Sequence, residues 1–153
     1  MCAMNKVAQV LAALEALTLL AVGVMEAFFY RSPELHAIFL IEPGEYDAVR
    51  LWTVNVGFYN IFMGIGLIVG LIFVNTGRVV AGRTIVLYTS ALHVLLGITL
   101  VISEPQLWVS AIGEAGLAVA VSLAVLIGDR RSRADAAAAA APPGTATPVP
   151  PAP

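Results

Sequence analysis

Residues 51–74 read LWTVNVGFYNIFMGIGLIVGLIFV, a run of 24 positions without one Asp, Glu, Lys or Arg. A helix rises about 1.5 Å per residue, so roughly 20 apolar residues cross a hydrocarbon core of about 30 Å. This stretch is therefore a membrane span. Outward from it lie three comparable runs, residues 7–30, 84–102 and 107–127. The first is longer than a signal-peptide core, carries Glu15 and lacks a clean small-residue cleavage site, so it is expected to be a retained helix.

The composition agrees. Of 153 residues, 59% are hydrophobic and 12% charged, against roughly 25% charged in an average soluble domain. A single core of this length cannot hide so much apolar surface from water. The net charge is -2 and the 8 cationic residues are scattered, which excludes a nucleic-acid partner engaged through a basic face. Cys2 stands alone, which excludes a disulfide framework or a cysteine metal cluster. The expected fold is all-α: a four-helix transmembrane bundle over residues 1–128, whose first partner is the lipid bilayer.

Cations in short loops set the orientation. Lys6, Arg78, Arg83, Arg130, Arg131 and Arg133 fall on one side, and only Arg31 and Arg50 on the other. Both termini are therefore expected in the cytoplasm. Tyr30, Tyr46, Trp52 and Trp108 gather near the outer ends, as an interfacial belt would. Within the outer loop, Ser32, Pro33 and Glu34 form a helix-start signal, an apolar run follows over residues 37–41, and Pro43-Gly44 breaks it. A short interfacial helix fits this pattern, with an irregular loop as the alternative. Residues 129–153, rich in Ala and then Pro, are expected to form a disordered cytoplasmic tail.

Polar side chains inside the spans carry the functional information, because each needs a partner or water in hydrocarbon. Glu15 and Glu26, eleven residues apart, share a face of the first span. In the second, Asn55, Tyr59, Phe62 and Gly66 form one stripe, with Asn60 off it. The third contributes Thr89, Ser90 and His93, and the fourth Ser110 and Glu114. The topology puts Glu26, Asn55, Tyr59 and Glu114 in the outer half, His93 near the middle and Glu15 towards the cytoplasm. A polar pocket opening outward between the first, second and fourth spans follows.

Three readings compete for these residues. Glu26 or Glu114 exchanging protons with His93 suits a small-molecule binder or a proton-linked carrier. Interhelical hydrogen bonding alone would make them structural. An intramembrane enzyme acting on a lipid or quinone would use Glu as acid or base, yet neither a nucleophile-plus-base pair nor a phosphate loop is visible. No two of the His and Glu residues have the i, i+4 spacing of metal ligands, so neither a metal nor another cofactor is expected. Gly66 and Gly70 make a GxxxG step, and Ala111, Ala115, Ala118 and Ser122 line one face of the fourth span. Such faces serve either internal packing or a homodimer seam, the latter suiting a membrane scaffold. Arg78 and Arg83 are expected to anchor their turn at the headgroup level.

Two segments resemble a known family. MEAFFYRSP at residues 25–33 is similar to a Glu-Met-Phe followed by a proline-containing turn, and NVGFYNIFMGIGL at 55–67 to an Asn-Gln-Gly-x-Tyr-Asn-x-Phe-x-x-x-Gly signature. Both belong to the small bacterial membrane proteins grouped as domain of unknown function 1304. The resemblance implies a four-span fold in a bacterial inner membrane and implicates Glu26, Asn55, Gly57, Tyr59, Asn60 and Phe62. It departs at Val56, where the family has Gln, and at Leu19, where members often carry His. No activity comes with it.

Overall fold

The computed structural model describes residues 4–140. Four long helices are each apolar enough to cross a membrane: α1 (Lys6–Phe28), α3 (Tyr46–Asn75), α4 (Val79–Ser103) and α5 (Trp108–Ala140), with a single-turn helix α2 (His36–Phe39) between the first two. No strand is found among the described residues. The long helices pack in a ring, each against its chain neighbours, and α5 closes on α1. Side chains such as Leu14, Phe62, Tyr88, Leu95 and Ile112 face outward, as they must in a bundle whose solvent is lipid. The chain reads as a four-span membrane protein.

One end holds the start of α1, the α3–α4 turn and the stretch of α5 around Asp129; we call it the terminal end. Asn5 ties it together, accepting from the Ala8 amide (2.8 Å) and donating Nδ2 to the Ala124 carbonyl of α5 (2.8 Å). The α3–α4 turn is tight because Gly77 takes φ 88°, a left-handed position open to glycine, and lets the Arg78 amide reach back to the Phe73 carbonyl (2.9 Å). The other end, the loop end, holds residues 29–45 and the Glu104–Leu107 turn.

The expected loop helix is present but brief. Pro33–Leu35 and Pro43–Glu45 are 3-10 turns on either side of α2. The second leads straight into α3, which starts at Tyr46 rather than at the expected residue 51. Glu42 and Glu45 exchange reciprocal capping bonds there, so the helix begins in charged sequence before it reaches its apolar run.

The tail expectation needs correction at its start. The stretch from residue 129 to Ala140 continues α5 as helix, because alanine gives up least on entering a helix and six alanines follow Asp135. The rest of that segment, residues 141–153, lies outside the described residues. At the same end Arg83 does not sit free at the headgroup level. It pairs with Asp129 of α5, the two side chains only 23% and 24% exposed.

Candidate functional site

The faces that meet inside the bundle are chosen by small residues. On α3 the buried positions are Gly57, Asn60, Gly64, Leu67, Gly70 and Val74, spaced three and four apart. A Cβ on Gly57 would stand 2.6 Å from the Ala27 amide nitrogen and 2.7 Å from the Gly23 carbonyl oxygen of α1, so the two backbones touch there. This close approach fixes the rotation of α3. Asn60 turns inward, while the stripe expected to face the pocket turns out. Asn55 Nδ2 donates to the Leu51 carbonyl of its own helix (2.6 Å), and Tyr59 is 61% exposed. Neither belongs to the site, because backbone contact at a glycine outweighs the gain of gathering polar groups on one face.

Of the GxxxG step, one glycine packs closely within the chain. Gly70 packs on Gly82 and Val86 of α4, and Gly66 has only Thr89 nearby. On α5, Ala111 and Ala115 sit against Gly97 of α4.

Five of the seven expected site residues converge. Glu15 of α1 is buried and reaches across the bundle to α4, accepting from Ser90 Oγ (2.7 Å) and lying 3.3 Å from His93 Nδ1. On the far side of the ring, His93 Nε2 lies 3.5 Å from Glu114 Oε2 of α5 but has no hydrogen-bond partner. Glu26 accepts from Asn60 Nδ2 (2.7 Å). Glu15, Ser90, His93 and Glu114 thus form a continuous polar bridge, and Glu26 with Asn60 stands nearby. The two carboxyls beside His93 flank opposite ring nitrogens and so do not converge on one ion, and no metal-binding group of three is found among the described residues.

Glu26, Asn60, His93 and Glu114 line a cavity of about 630 Å³. Its walls come from all four long helices, with Ile38 and Phe39 of α2 and Leu107 towards the loop end. The expected pocket omitted α4, which here supplies His93, Leu96 and Thr99. Ser90, named in the sequence among the polar residues of its span, is a partner that the expected site left out. It lies three residues before His93, one helical turn along the same face, and that spacing is the signal that could have found it.

Residues 13–127 match the family described as Protein of unknown function (DUF1304). The chain belongs to this family. No curated protein and no solved structure matches it. The match includes all of the bridge residues, the whole of α3 and α4 and parts of α1 and α5, so the site lies wholly within the family domain.

Proposed function

We propose that this chain is a membrane-embedded binding protein that takes a small amphipathic molecule into the loop-end cavity and exchanges a proton with it through His93. The observation that carries this reading is His93 Nε2, a buried nitrogen on the wall of that cavity that makes no hydrogen bond, Glu114 Oε2 approaching it only to 3.5 Å. An unsatisfied buried polar atom costs about 1–3 kcal/mol. A polar atom of a bound molecule would relieve that cost. The volume falls within the roughly 300–1,000 Å³ of ordinary ligand sites, which are likewise apolar with a few convergent polar groups.

The bridge suits proton exchange. Neutral imidazole donates from one nitrogen and accepts at the other, whereas imidazolium donates from both. A group arriving at Nε2 therefore changes which of Glu15 and Glu114 the ring can serve. Leu19, Leu67, Val86 and Val121 are buried in the apolar core, and translocation would require that core to open. Binding is the step this geometry supports best. By the cation count of the loops, the terminal end faces the cytoplasm and the cavity opens away from it, in a bacterial inner membrane if the chain follows the family resemblance.

The test fills the cavity. Gly113 lines it, and a Cβ there meets nothing within 4 Å. Gly113→Leu should fold, since leucine is the better helix former. Mass spectrometry of the protein purified with native lipids should find a bound small molecule on the wild type and none on the variant. Identical spectra would overturn the reading.

A further inference from the structure

The cavity's hydrogen-bond inventory is lopsided. Thr18 donates its hydroxyl to Leu14 (3.0 Å), Thr99 to Leu95 (2.9 Å) and Ser103 to Leu100 (3.1 Å), each bond ending on a carbonyl of the residue's own helix. Asn60 gives one of its two amide N–H groups to Glu26 and keeps its carbonyl oxygen as an acceptor. Each of the three hydroxyls has directed its proton away from the cavity and keeps an oxygen that can only accept. Glu26 and Glu114 add carboxyl oxygens, and no Lys or Arg lines the cavity among the described residues. Against this surplus of acceptors stand few donors, chiefly the His93 ring, the second N–H of Asn60 and the Ser110 hydroxyl. The remaining wall is apolar, with Val22, Met25, Phe39, Leu96 and Leu107 prominent.

We infer that the ligand class is a lipophilic ammonium, a molecule with a protonated amine on an apolar body, whose N–H groups lie between Glu26 and Glu114 while the body fills the apolar wall. This rests on the binding reading above and narrows it. An ammonium brings donors and positive charge to a site short of both, and burying it is tolerable only where a carboxylate pairs with it. Phe39 adds an aromatic ring to the same lining. An anion would meet two carboxyls with no cation to offset them. A quinone carries acceptors only and would compete for the His93 nitrogen alone. An aliphatic alcohol has one donor and no charge to hold.

The experiment uses the full chain in lipid nanodiscs, with protein-free discs as the partition blank. Equilibrium binding is measured for 4-phenylbutylamine, 4-phenylbutanol, 4-phenylbutyrate and menadione. The amine should bind saturably, tighter than the alcohol by about thirtyfold, the equivalent of one buried charge pair. Glu26→Gln and Glu114→Gln should each bring the amine close to the alcohol. Gln in place of Glu26 can still accept from Asn60, which favours folding, and Gly113→Leu should remove all saturable binding. Equal binding of amine and alcohol, or saturable binding of butyrate or menadione in preference to the amine, overturns the ammonium assignment and leaves the binding reading standing. No saturable binding of any of the four overturns both.

Discussion

The two ends of the bundle solve the same packing problem in opposite ways. Towards the terminal end, Gly64 rests against Ala16 and Leu20, Gly70 against Gly82, and Val74 beside them, so helix backbones approach and the interior is closed by aliphatic side chains. Towards the loop end the α1–α3 contact persists at Gly23 and Gly57, but α4 and α5 stand away from it and leave the cavity. Glycine therefore has two uses in this chain. At Gly57 it removes a side chain so that helices touch, and at Gly113 it removes one so that space remains.

The strongest way to break that contrast is to put bulk where helices touch. Gly57→Leu forces a side chain onto backbone atoms of α1 that cannot step aside. We expect a cost of about 3 kcal/mol or more, at the upper end for overpacking, seen as loss of monodisperse protein or a collapsed unfolding midpoint. Gly113→Ala is the counterpart in open space and should stabilise by up to about 1 kcal/mol through helix propensity alone. Equal effects at the two positions would erase the distinction between a packed and an open end.

The polar bridge sits where the two regions meet and should respond to hydrogen-bond capacity. Glu15→Ala strands Ser90 and His93 Nδ1 inside the bundle and should cost about 2–3 kcal/mol, within the range for buried groups left without partners. Glu15→Gln keeps an acceptor for Ser90 and should cost clearly less. If the two variants unfold alike, as followed by denaturant titration in mixed micelles, charge rather than hydrogen bonding holds the bridge.

The spans were legible in the sequence because apolar runs of this length have few other uses, and the ionisable residues of the site were legible because they are so scarce within those runs. Glu15, Glu26, His93 and Glu114 stand out by that criterion and all four reach the centre. The rotation of α3 was not legible. Its sequence offers a polar stripe through Asn55 and Tyr59 and a small-residue stripe through Gly57, Gly64 and Gly70, and only the partner helix decides between them. The resemblance pointed to Asn55, Tyr59 and Asn60 together, yet only Asn60 reaches the cavity. Helix ends were missed where charged or alanine-rich sequence stays helical, at Tyr46 and beyond Asp129, since a count of apolar residues locates the lipid but not the helix.

The ion pairs at the two ends give the smallest effects and the finest version of the comparison. Arg83 and Asp129 are sheltered between α4 and α5, the pair is made through Arg83 Nη2, and Arg83 Nε makes no hydrogen bond. Asp129→Ala therefore leaves a guanidinium half-buried without its counter-charge and should cost about 1–3 kcal/mol, largely independent of salt because sheltered pairs are poorly screened. Arg31 and Asp47 at the loop end are also paired, 2.6 Å apart, but their side chains are 53% and 93% exposed. Water and salt screen that pair, and holding two mobile side chains together offsets what attraction remains. Asp47→Ala should leave the unfolding midpoint unchanged at any ionic strength. A salt-dependent loss in Asp47→Ala would show that the loop end is braced by charge, and that its open cavity needs that brace to keep its shape.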